Sequence, residues 1–183
     1  MVITASGLTA RWPAALGLVV AGAGAAVIAG GDVEKDFAPG IATMMGIYLA
    51  AYAVGRPAAA WPAFAVLGSV AALMGVLGVE AAVVMTALLV PLWLWVLARG
   101  LADDRPWFAL ETLGLVVFGG LTLGAFLADA TLAGILAGVG WLTHGLWDAY
   151  HFVKDRVVAR SWSELCAVVD IIVGTLLIAV SIT

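Results

Sequence analysis

Charged side chains in this sequence stand in short knots, and the stretches between the knots are apolar for lengths that a soluble fold does not need. The knots fall at Arg11, Asp32 to Asp36, Arg56, Glu80, Arg99 to Arg105, Asp129 and Lys154 to Arg160. A helix rises 1.5 Å per residue, so about twenty apolar residues cross the roughly 30 Å hydrocarbon core of a bilayer. Seven stretches qualify, at about 12–30, 39–55, 60–79, 81–99, 107–127, 131–152 and 162–182. The expected fold is an all-α integral membrane protein, one domain of seven transmembrane helices.

Composition agrees. Only 11% of residues are charged, against about 25% in a soluble domain, and the mean hydropathy is +1.15. The net charge of -4 gathers in no basic face, so no nucleic-acid partner is expected. The single cysteine, Cys166, lies inside an apolar run and excludes a disulfide framework. The first residues lack a cleavable signal pattern, so the first span is expected to be retained.

The bases predict an orientation. With seven spans, Arg11, Arg56, Arg99, Arg105, Lys154, Arg156 and Arg160 share one face and only Lys35 falls on the other. The positive-inside tendency then puts the N-terminus in the cytoplasm and the C-terminus outside, in the cell's inner (plasma) membrane. Trp12, Trp61, Trp107 and Trp162 each open an outward-running span, where an indole suits the headgroup region.

An internal likeness suggests duplication. Moved by 97 positions, Leu16, Gly17, Leu18, Val19, Val20, Gly22 and Asp32 fall on Leu113, Gly114, Leu115, Val116, Val117, Gly119 and Asp129. Such matches also arise from composition alone. The reading is a parallel 3+1+3 arrangement, with one repeat at about 12–79, a linker helix at 81–99 and a second repeat at about 107–182.

The second repeat alone carries charge inside its spans. In "WLTHGLWDAYHFVKD", at 100° per residue, Asp148 lies about 40° from His144 and His151 about 20° to the other side, so the three share one stripe. Asp170 in the last span sits at a depth similar to His144, and Glu111 lies one turn into span five. Ionisable groups facing lipid cost a few kcal/mol or more, so this stripe must face the bundle interior or water.

A His with Asp neighbours in a low-dielectric place suits proton handling. His144, Asp148, Asp170 and Glu111 are the candidate catalytic residues. Trp141, Trp147, His151, Tyr48, Tyr52, Arg156 and Arg160 are candidates to line or rim a substrate site. No metal or cofactor is predicted: His144 and His151 are about 10.5 Å apart along a straight helix, too far for one ion. A divalent ion on His144 and Asp148 remains an alternative.

Two functions fit. One is acid–base enzyme chemistry on a small lipophilic substrate, an isoprenoid or lipid, reached from the inner leaflet. The other is a proton-coupled transporter using the same residues, with Thr43, Thr86, Thr122 and Thr131 as neutral stepping stones. A third, structural or sensory, would leave the cluster as a tie between helices. The partner in every case is the bilayer. Glycines on spans one and five serve internal packing or an oligomer equally well.

Overall fold

A computed structural model describes residues 11–31 and 37–183, so Asp32, Glu34, Lys35 and Asp36 lie outside the described residues. The described chain is helical, without strands, in seven α-helices: α1 (Trp12–Ala29), α2 (Ala38–Val54), α3 (Ala60–Val76), α4 (Ala81–Ala98), α5 (Arg105–Leu127), α6 (Ala130–Lys154) and α7 (Arg160–Ser181). Single 3-10 turns, Pro57–Ala59 and Leu101–Asp103, lead into α3 and α5. Each helix coincides with one apolar stretch, because a chain in hydrocarbon must satisfy its backbone hydrogen bonds within the segment.

Five helices, in α1, α3 with its leading turn, α4, α5 and α7, are long and apolar enough to cross a membrane. This is the make-up of a membrane protein. Leu18, Val19, Val66, Val76, Val116 and Leu127 stand exposed on the outer faces, where lipid would replace water. The other two helices depart for different reasons. α2 is apolar but has 17 residues. α6 has 25 residues and is diluted by the polar stripe it carries.

α2 is the centre of the bundle. All its residues from Ile41 to Ala53 are buried, as expected of a helix apolar on every side. It packs against α3, α4, α5 and α6. The most extensive helix pair is α6 with α7, and α1 lies along the far side of α7. Glycine makes the α6–α7 approach close. A Cβ added at Gly174 would lie 2.5 Å from the Leu142 amide nitrogen, and one at Gly138 would lie 2.9 Å from the Gly174 carbonyl oxygen. The two halves do not pack alike: α1 leans on α7, whereas α5 is held by α2, α4 and α6.

One end of the bundle gathers the basic loops. Ala159 N–H donates to the Pro57 carbonyl (3.0 Å), Arg156 pairs with Asp104 (2.7 Å), and Arg11 pairs with Glu164 (2.9 Å). Trp12 stacks on Trp61, and Trp61 meets Trp162 edge-on with centroids 5.0 Å apart. Glu80 and Asp129 occupy turns at the opposite end, where the Asp129 side chain accepts from the Leu132 N–H and caps α6.

Candidate functional site

Because α6 and α7 touch through glycine, their polar residues meet. His144 Nδ1 lies 3.2 Å from Asp148 Oδ2, one turn along α6, and 3.0 Å from Asp170 Oδ2 on α7. Between two carboxyl oxygens, Nδ1 donates where both are ionised and can accept from whichever carboxyl holds a proton. The first half of the chain completes the group: Tyr48, on the central helix α2, donates its hydroxyl to Asp148 Oδ1 (2.5 Å). His144, Asp148 and Tyr48 are fully buried and Asp170 is 1% exposed.

A second pair sits nearer the basic end. His151 Nδ1–H donates to the Trp147 carbonyl (2.9 Å), which leaves Nε2 to face Glu111 Oε1 at 3.0 Å. With Nδ1 committed as donor, one proton is shared across the Nε2–Oε1 contact, whichever atom holds it. One ring touches both groups. Tyr48 is edge-on to both imidazoles, with centroids 5.5 Å from His144 and 4.8 Å from His151. Glu111 Oε2, His144 Nε2 and Trp147 Nε1 are buried without a hydrogen-bond partner among the described residues, and buried polar atoms of this kind are uncommon outside sites that do something.

Asp170 has a second neighbourhood. It lines a groove of about 320 Å³ whose other walls are apolar: Leu16 and Val20 from α1, Thr43, Met44 and Ile47 from α2, Trp61 and Phe64 from α3, Trp141 from α6, and Trp162, Leu165 and Cys166 from α7. The groove separates α2 and α3 on one side from α7 and α1 on the other. Leu16 and Val20 on α1 and Phe64 on α3 are wall residues that stand exposed, so the groove opens on the side of the bundle that these two helices share. Gly40 lets Trp141 in, since a Cβ there would come within 2.5 Å of the indole.

The remaining sequence candidates lie elsewhere. Tyr52 donates to the Leu101 carbonyl (3.1 Å) and lines a separate hollow of about 400 Å³ at the basic end, with Asp103, Asp104, Asp155 and Arg156. Arg156 is engaged by Asp104 and lies over the Trp107 ring, and Arg160 lies over Phe152. Neither reaches the histidines. Trp147 packs into the space left by Gly114, beside Met45 and Phe118, rather than against the groove.

Sequence reasoning missed Phe118, whose ring lies 4.8 Å from that of His144. Its signal was present: Glu111, Gly114, Phe118, Thr122 and Ala125 form the buried stripe of α5 at helical spacing. Cys166, one turn before Asp170 on the buried stripe of α7, carried the same spacing signal and also lines the groove.

His144, Asp148 and Asp170 place one ligand atom each within 4.8 Å of one another, a set that could hold a metal ion. The hydrogen-bonding pattern through Nδ1 and Tyr48 fits proton handling equally. Compared with protein-family models, curated proteins and solved structures, the chain matches none.

Proposed function

We propose that the chain is a membrane enzyme that exchanges protons with a lipophilic substrate, an isoprenoid or a lipid, seated in the lateral groove. One observation carries the reading: Asp170 lines the apolar groove and also stands 3.0 Å from His144 Nδ1. A carboxyl so placed can give or take a proton at a substrate carbon or oxygen while its other oxygen stays on the imidazole. His144 bridges Asp170 to Asp148, and Asp148 is held by Tyr48, so the proton has a fixed route inward and back. Trp141 shapes the groove. Glu111 and His151 form a second shared-proton pair behind the first.

In this reading the basic end faces the cytoplasm, as seven of the eight bases suggest, and the membrane is the plasma membrane. The two halves descend from one duplicated unit, with the chemistry kept in the second and Tyr48 recruited from the first.

The proton-coupled carrier is the second reading, favoured by the hollow that opens at the basic end beside Tyr52. The hydroxyls that could carry a polar solute onward support it less well. Thr43, Thr86 and Thr122 each donate to a carbonyl one turn back on their own helix.

Purified protein in liposomes, supplied with a total lipid extract, tests the choice. Asp170→Asn and His144→Ala are expected to lower product formation by about a hundredfold to ten-thousandfold without a pH-gradient-driven uptake defect. Wild-type turnover in both variants would remove the enzyme reading, and loss of uptake alone would move the function to transport.

A further inference from the structure

We propose that the lateral groove is a binding site for a lipophilic cation, an apolar chain bearing one positive charge. The inference rests on the functional reading above and deepens it by naming the charge of the groove's occupant.

The first ground is charge. The buried ionisable side chains among the described residues include three carboxyl groups, Glu111, Asp148 and Asp170, and two imidazoles, His144 and His151, but no ammonium or guanidinium. His151 is matched by Glu111. His144 stands against two carboxylates at once. Arg11 and Arg156 are engaged with Glu164 and Asp104 near the surface. With both carboxyls ionised, the Asp148–His144–Asp170 cluster is one positive charge short, and in a low-dielectric place that excess is met either by a proton on a carboxyl or by a cation bound beside it. The groove is where such an ion can approach. Asp170 is its one carboxyl group among the described residues, and the one that also touches His144.

The second ground is the wall. Trp61, Phe64, Trp141 and Trp162 line the groove. Their polar edges are turned elsewhere where it matters: the Trp61 indole N–H donates to Ser161 Oγ (3.4 Å) and that of Trp141 to the Phe37 carbonyl (2.9 Å). What these side chains offer an occupant is therefore ring surface, which attracts a cation and accepts a hydrocarbon. A volume of about 320 Å³ lies at the small end of ligand sites, enough for a short unsaturated chain with a compact charged group and too small for a whole phospholipid. The same arrangement would stabilise positive charge developing on a substrate that Asp170 protonates at a double bond.

The test is binding, without turnover. The full chain in neutral detergent is titrated, by tryptophan fluorescence and calorimetry, with three probes of one chain length: dimethylgeranylamine (an ammonium ion at neutral pH), geraniol and geranic acid. The ammonium is expected to bind at least tenfold more tightly than the alcohol, and the carboxylate least of all. Asp170→Asn should erase the preference while keeping alcohol binding. Phe64→Leu, at a half-exposed position, should narrow the preference with the fold intact, and so keeps the test open if Asp170→Asn fails to fold. Equal affinities for amine and alcohol in the wild type, or a preference unchanged in both variants, would overturn the inference. Loss of turnover in Asp170→Asn without any ammonium preference would sink the cation site and leave the proton-transfer reading standing. An ammonium preference with no turnover of any lipid would do the reverse.

Discussion

Among the described residues, the Tyr48 hydroxyl is the one polar group that the first half of the chain sends into the cluster, and it holds the carboxyl that His144 also touches. Removing the donor of a buried hydrogen bond costs about 1–3 kcal/mol, because the acceptor is left without water to replace it. Tyr48→Phe is therefore expected to lower the unfolding free energy in detergent by about that amount, and an unchanged denaturation curve would show that the hydroxyl carries no such role. Glu111 permits a finer contrast. Glu111→Gln can still hydrogen-bond His151 Nε2, whereas Glu111→Leu strands a buried ring nitrogen at a cost of about 1–3 kcal/mol. Equal stability of the two variants would contradict the pairing. The polar stripe of His144, Asp148 and His151 was legible from spacing along one helix. The split into two pairs was not, because it depends on which neighbouring helix stands opposite each residue. Tyr48 was named in the sequence with no partner, since the apolar residues around it give no clue to what its hydroxyl meets.

At the scale of the element, the α6–α7 contact is what brings Asp170 to His144. Gly138, Gly145 and Gly174 leave no room for a Cβ between the two backbones: one at Gly145 would lie 3.2 Å from both the Asp170 Cβ and the Ile171 amide nitrogen. Small residues at such a seam let van der Waals packing and interhelical hydrogen bonds act at short range. Gly174→Ala should destabilise the protein by about 1–3 kcal/mol, as overpacking does, and should also reduce turnover by separating the helices that carry the cluster. Gly22→Ala is the matched control, since a Cβ there meets nothing within 4 Å, and its effect should stay within about 0.5 kcal/mol. Parallel melting curves and turnover assays check both, and a harmless Gly174→Ala would mean the seam has slack. Helix positions were readable because charge punctuates the apolar runs. The use of each glycine was not: a Cβ at Gly17 would lie 2.8 Å from the Leu165 carbonyl oxygen, one at Gly24 would lie 3.1 Å from Val173 Cγ2, and one at Gly22 between them would meet nothing within 4 Å. Spacing alone treats the three alike.

For the whole molecule, the loops that the sequence assigns to one face do meet at one end, held by the Arg156–Asp104 and Arg11–Glu164 pairs. Which side of a membrane that end faces is a separate prediction. In a Cys166→Ala background, Asp103→Cys should be shielded from an impermeant maleimide applied to whole cells and Glu80→Cys should be labelled; the opposite pattern would invert the proposed orientation. The order of helices around α2 lay beyond the sequence, because an apolar span shows no preferred face and its neighbours are chosen by shape. So did the lateral groove, whose walls come from five helices and whose residues, read singly, are ordinary core. The central claim is that Asp170 and His144 pass protons to and from an apolar molecule held in that groove. Liposomes carrying the protein and a lipid extract, incubated in D2O and analysed by mass spectrometry, test it most directly: the wild type should place carbon-bound deuterium in a lipophilic compound of the extract, and Asp170→Asn should not. Deuterium incorporation that is absent from the wild type, or equal in the variant, would contradict it.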